Sequence, residues 1–286
     1  MNPLKSLYKF LSPKHQTLFL EYKVDFKPRY GHGKPPHPIL NKIIGDHRDE
    51  YKNYLQSFLN YKEVFHSIKK SDAEKSENEP RWNNGYLPGL DIVALYSMIA
   101  LLKPKRYVEI GSGNSTMVAR KAIKDHSLQT KITSIDPFPR ASIDQLADEV
   151  IRQPLEDLKN HDFVEDLNEN DILFIDNSHR CLPNSDVTVC FLELIPRLKK
   201  GVIVHIHDIY LPYDYPQFMC DRFYSEQYLL ATLLLAAPGR YQTLMPNFYV
   251  SEDAELKKII EPIWDHPNLN SVERHGGSFW FRIGSE

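Results

Sequence analysis

The chain has 286 residues, of which 42% are hydrophobic and 26% charged, and it carries a net charge of −3. That is enough apolar material for a sizeable core, and the charge balance excludes the strongly basic class of dedicated nucleic-acid binders. Three cysteines, Cys181, Cys190 and Cys220, form no CxxC pair and no even framework, which fits free thiols in a reducing compartment.

The N-terminal stretch MNPLKSLYKFLSPKHQ lacks the apolar core and small-residue cleavage site of a secretory signal. The most apolar run, YLLATLLLAA at 228–237, is ten residues long and too short to span a bilayer, so it reads as a buried helix. A soluble, cytoplasmic protein with no membrane partner is expected. Before residue 35 there are seven Lys and Arg against two acids, Glu21 and Asp25, which reads as a solvated basic face or, as the alternative, a binding surface. RYGHGKPPHP, at 29–38, is too rich in glycine and proline for regular structure. Apolar and aromatic residues at 51, 54, 55, 58, 65 and 68 follow helical spacing, and SDAEKSENEP at 71–80 reads as an exposed loop. Residues 1–80 are thus expected to be an extension of helix and loop, serving as a substrate lid or interaction region in front of a main domain at 81–286.

From residue 81 the pattern becomes regular. Helices are predicted at 89–103, 115–125, 142–150, 187–198 and 222–237, and strands at 106–110, 131–135, 171–175, 201–207, 241–250 and 276–283. Strands alternating with helices imply βαβ units and a parallel sheet, whose ligands gather beyond the carboxyl ends of the strands. Those ends carry Gly111-Ser112-Gly113, Asp136, Asp176 and His207-Asp208.

A GxG turn between strand and helix lets a ligand approach the backbone, with the positive helix end behind it. The third glycine of a dinucleotide fingerprint is missing from GSGNST, and Glu109 lies two residues before the first glycine, where a pyrophosphate would meet a carboxylate. An acid there suits a cationic cofactor. Asp136, 23 residues after Gly113, is placed to accept ribose hydroxyls, as the acid of NAD enzymes also does.

VEIGSGNST, ITSIDPFPR and DILFIDNSH, with the closing aromatic run GGSFWFRI, give the span from about Trp82 to Ile283 the motif order of a class I S-adenosylmethionine-dependent methyltransferase, which it resembles. The resemblance implies an α/β, Rossmann-like, mostly parallel seven-stranded sheet flanked by helices, with an antiparallel last strand. It also implies that Glu109, Gly111, Ser112, Gly113, Ser115 and Asp176 border S-adenosyl-L-methionine, and that Asp136 holds its ribose.

Asp176 and His179 follow the fourth predicted strand, and His207-Asp208 closes the fifth, so in a parallel sheet they are neighbours. Asp176, His207 and Asp208 could hold Mg²⁺, Mn²⁺ or a transition metal. This arrangement is similar to that of the catechol and macrolide-sugar O-methyltransferases and cephalosporin-hydroxylase-like proteins, except that His207 stands where those relatives have an acid. Without a metal, His207 is the first candidate for general base and His179 the second, with Asp208 beside them. His205 is expected to be a buried, hydrogen-bonded support. YLPYDYP at 210–216 is placed over the acceptor as part of a lid or as ordinary loop packing, and Trp82, Asn83 and Asn84 are placed near the pocket.

The expected activity is O-methylation of a small-molecule or glycan-like hydroxyl compound. The alternatives are an NAD(P)-dependent oxidoreductase and a non-catalytic S-adenosylmethionine-binding protein. No nucleic-acid partner is expected, and the oligomeric state is not legible. Asp136→Ala is expected to weaken nucleoside binding in a calorimetric titration; unchanged affinity would remove the second motif from the assignment.

Overall fold

A computed structural model describes residues 3–139 and 142–285; Arg140, which closes ITSIDPFPR, lies outside the described residues, as do Met1, Asn2, Ala141 and Glu286. Seven strands form one sheet: β1 (Arg106–Ile110), β2 (Lys131–Ile135), β3 (Glu149–Ile151), β4 (Ile172–Ile175), β5 (Ile203–Ile206), β6 (Tyr241–Pro246) and β7 (Phe279–Ile283). Their order is β3-β2-β1-β4-β5-β7-β6. The first five run parallel, and β7 is inserted antiparallel between β5 and β6. This is the expected Rossmann-like sheet. β4 and β5 are buried along their whole length, as their apolar runs require of central parallel strands.

The helix Gly89–Leu102 is apolar on every side and buried from Gly89 to Ala100. It ends at Lys103, which takes the left-handed conformation just before Pro104. Helix Asn114–Asp125 packs beside it, burying Met117, Val118, Ala119, Ala122 and Ile123. Tyr51, Leu55, Phe58 and Phe65 of the N-terminal extension enter the same core, from helices Arg48–Phe58 and Lys62–Ser67.

Several elements differ from the sequence expectation. SIDQLADEV forms no helix: a short 3-10 turn at Asp144–Leu146 leads into edge strand β3. Asp148 directs this, because its carboxylate accepts the Ile132 amide at 2.8 Å and pairs with Arg120 at 2.6 Å, fastening the segment to β2. YQTLMPNFYV is a strand only to Pro246; Asn247 then opens a helix to Glu252, held by its amide on the Ser278 carbonyl at 2.8 Å. The segment 187–198 is helical, but it widens to π pitch over Cys190–Leu194 before Pro196. Trp82 does not reach a pocket; it is buried edge-on against Trp264.

Chain order reverses at β1, which has β2 on one side and β4 on the other, so the turns after β1 and β4 open a crevice between them. Gly111, at φ +83°, leaves no space there: a Cβ would lie 1.9 Å from the Asp176 carbonyl oxygen. Gly111→Ala is expected to lower stability by roughly 2–4 kcal/mol, read as an earlier urea midpoint with unchanged slope; a midpoint like that of the parent would contradict this.

Candidate active site

The turn after β1 is built by its own polar side chains. Asp136 accepts the Ser112 amide at 2.9 Å and the Phe138 amide at 2.8 Å, so it ties the first turn to the second. The Ser112 and Ser134 hydroxyls lie 2.7 Å apart. Glu109 is buried behind the turn rather than in the wall of a cavity. Its carboxylate accepts the Thr116 and Ser115 hydroxyls from the first turn of the following helix, the latter at 3.3 Å. Burial pushes its pKa up to about 7, against the pull of those hydroxyls. Glu109 therefore acts on a ligand only through the turn it holds.

Three cavities meet beside this turn. One of about 290 Å³ is lined by Gly111, Ser112, Asp136, Phe138, Leu155 and Asp176. A small one of about 60 Å³ is lined by Tyr86, Leu87, Asp176 and the run Ser112 to Ser115. The third, about 590 Å³, lies on the other side of Asp176 and is walled by His179, His207, Asp208, Tyr210, Arg222 and Phe248, among others. Asp176 lines all three.

The polar end of the large cavity is a charge cluster. His179 Nε2 lies 3.4 Å from both Asp176 Oδ1 and Asp208 Oδ2, and its Nδ1 bonds Glu226. His207 Nε2 is 3.3 Å from Asp91 Oδ2, and its Nδ1 is 3.5 Å from Asp176 Oδ1 and 3.6 Å from Asp208 Oδ1. These His207 contacts have ion-pair distances but not hydrogen-bond geometry. Burial disfavours charge on both rings, yet the carboxylates prevail. His179 rises to about 10, Glu226 being the strongest of its acids, and His207 rises well above its usual value through Asp208 and Asp176. Asp176 is held below the usual carboxylate range by the same two imidazoles, in spite of its desolvation. His179 and Asp208 both take left-handed backbone, at φ 62° and 56°. Such conformations cluster at functional sites.

The structure thus brings Gly111, Ser112, Gly113, Ser115, Asp136, Asp176, His179, His207 and Asp208 to one crevice and sets Glu109 behind it. Among the described residues, the group whose ligand atoms converge for a metal is Asp176, His179 and Asp208, all within 4.8 Å of one another. His179 stands where the sequence reading put His207, which Asp91 engages from behind. His205 is buried, but its ring nitrogens make no hydrogen bond; it stacks on Trp280 at 3.8 Å instead. Of the YLPYDYP loop, Tyr210 lines the large cavity, while Tyr215 is buried in a cluster with Met219, Cys220 and Tyr224.

Sequence reasoning missed Asp91 and Glu226. Asp91 left a signal, as the single acid inside the apolar helix GLDIVALYSMIALL; it also accepts Asn247 Nδ2 at 2.7 Å and the Gly277 amide at 2.8 Å. Glu226 left none, because an acid in the first turn of a helix is commonplace.

Residues 108–209 match a family model described as a methyltransferase domain. An uncharacterized protein of Archaeoglobus fulgidus is 35% identical over 94 residues, a stretch covering 31% of this chain and 42% of that protein. An SAH-bound methyltransferase of Podospora anserina is 16% identical, covers 80% of this chain and 88% of its own, and superposes with a TM-score of 0.41. A mycolic acid cyclopropane synthase complexed with SAH and CTAB is 12% identical, over 85% of this chain and 96% of its own, with a TM-score of 0.34.

With His179 raised from 6.5 to about 10, its contribution to stability is complete below about pH 6.5 and is lost as pH climbs through 10. In chelator-treated protein, Glu226→Gln is expected to move the His179 imidazole titration, followed by NMR, to lower pH and to bring forward the alkaline loss of stability. An unmoved titration would show that Glu226 does not hold the proton.

Proposed function

We propose that this chain, a class I S-adenosylmethionine-dependent methyltransferase, transfers the methyl group to a hydroxyl oxygen of a small or glycan-like acceptor in the 590 Å³ cavity. The observation that carries the reading is the position of Asp176, the residue common to all three cavities. A donor in the two smaller spaces and an acceptor in the large one would meet at one carboxylate.

The residues fit the cofactor. Gly111 keeps the turn after β1 close against Asp176, Asp136 faces the 290 Å³ cavity, where it would accept a ribose hydroxyl, and Ser112 to Ser115 wall the small cavity, which would take the methionine end. When bound, the cofactor supplies an electrophilic methyl group on a cationic sulfonium. The chain's own work is to align the two reactants and to manage the proton that the acceptor hydroxyl loses.

The carboxylates around both imidazoles favour their protonated forms against the cost of burial, which counts against either as a resting free base. The donor set resolves this. Glu226 fixes His179 Nδ1 and leaves Nε2 turned toward Asp176 and Asp208, the carboxylate–histidine pairing that orients metal ligands. Two carboxylates and one imidazole suit a divalent cation such as Mg²⁺ or Mn²⁺. When bound, that ion would lower the pKa of a coordinated hydroxyl. His207, held by Asp91, keeps a positive charge beside the acceptor oxygen, and Asp208 steadies both rings.

Calorimetry should show S-adenosylhomocysteine binding, and ~2.7 kcal/mol of added stability at 100 times the dissociation constant; stabilisation by NAD(P) instead would overturn the assignment. Given a hydroxylated acceptor panel and Mn²⁺, mass spectrometry should detect O-methyl product that chelator abolishes. Asp176→Asn should lower turnover by about 10²-fold or more with the fold intact. Undiminished product with chelator present would restore a histidine base.

A further inference from the structure

Ten large apolar side chains stand exposed between Leu7 and Phe26, among them Leu11 at 69%, Phe19 at 81% and Tyr22 at 75%. The other eleven exposed large hydrophobics among the described residues are spread from Ile39 to Leu235. Monomeric proteins seldom leave so dense a group uncovered. Leu7, Tyr8 and Leu11 fall at helical spacing on the helix Pro3–Leu11, with Lys9 between them. Leu18, Phe19 and Leu20 follow in chain without regular structure, and Tyr22, Val24 and Phe26 alternate with charged residues.

The charge of this arm is opposite to that of the rest. Up to residue 35 there are seven Lys and Arg against two acids, a net of +5 in a chain whose total is −3, which leaves −8 elsewhere. Within this stretch, residues 7–26 hold Lys9, Lys14 and Lys23 with both acids, and the other basic residues flank them. The apolar surface also continues to the acceptor side. Phe26 packs edge-on against Phe223 at 4.9 Å, and its carbonyl accepts Gln217 Nε2 at 2.7 Å. Next to these, Phe218 is exposed where it lines the large cavity, and Arg222 stacks over Tyr224 at 4.6 Å on the same wall.

We propose that residues 7–26 seat this protein on an anionic lipid surface, with the mouth of the large cavity beside that surface. Apolar side chains would enter the interface while Lys9, Lys14 and Lys23 face the headgroups. No helix among the described residues is long and apolar enough to cross a membrane. A surface-seated segment needs none. On the methyltransferase reading proposed above, the acceptor class that follows is an amphiphile with a hydroxylated head, reached from the lipid side.

The full chain would be sedimented with vesicles of phosphatidylcholine alone and of phosphatidylcholine mixed with phosphatidylglycerol. The expected result is binding to the anionic vesicles at least about tenfold stronger, weakened by salt. A triple variant, Leu7→Glu, Phe19→Glu and Leu20→Glu, should lose it while keeping its melting temperature and its S-adenosylhomocysteine affinity. Equal binding to both vesicles, no binding, or dimerisation in light scattering that the triple variant abolishes would each overturn the proposal. S-adenosylhomocysteine affinity is measured without lipid, so its failure would strike the methyltransferase reading alone.

Discussion

The tight contact between Gly111 and the Asp176 carbonyl is the constraint on which the site depends. It presses the turn after β1 against the turn after β4 at the point where strand order reverses. Pairing of Ile110 with Ile175 sets the register that makes the two turns level. Asp136, at the end of β2, secures the first turn from the other side through the Ser112 amide. A side chain at position 111 would part the turns, and the carboxylate common to all three cavities would move out of the crevice. Glu109 supports the same geometry from within, holding the helix start through two hydroxyls.

On that frame sits an unbalanced charge cluster. Four carboxylates, from Asp91, Asp176, Asp208 and Glu226, surround two imidazoles. Buried charge of this kind is costly unless it is compensated, so the cluster favours protons on both rings, and on the proposed reading a divalent ion would take the place of one of them. The two histidines divide the work by the acid behind each. Glu226 leaves a His179 nitrogen facing the cavity, whereas Asp91 holds one His207 nitrogen on the core side. Sequence position alone could not separate these roles, because both histidines follow a strand by a few residues.

Strand ends were legible in the sequence; what packs behind them was not. β1 and β2 fall where periodicity places them, and the glycine turn, Asp136, Asp176 and His207-Asp208 gather as a parallel sheet requires. The failures have tertiary causes. SIDQLADEV has helical composition, but Asp148 binds it to the edge of β2. YQTLMPNFYV alternates like a strand, but Asn247 is taken by Asp91 and the Ser278 carbonyl. Asp91 and Glu226 come from helices remote in sequence, and only packing brings them behind the rings. The choice of His179 over His207 as the convergent ligand rests on those two unseen acids.

The large cavity shows how the N-terminal extension reaches the charge cluster. The RYGHG run is clasped by the YLPYDYP loop: Asp214 accepts the Arg29 and Tyr30 amides at 2.6 and 3.0 Å, and His32 Nε2 lies 2.9 Å from the Asp214 carbonyl oxygen. Gly31 is needed there, at φ +73°, because a Cβ would meet the Tyr213 ring at 2.6 Å. His32 is thereby placed in the wall of the large cavity, opposite groups that β4 and β5 supply. The two smaller cavities, by contrast, are lined mainly by the turns that follow β1, β2 and β4. The large cavity thus draws on the N-terminal segment and its clasp as well as on the sheet, so on the proposed reading substitutions in that segment would alter acceptor choice while the glycine turn and the charge cluster stay fixed.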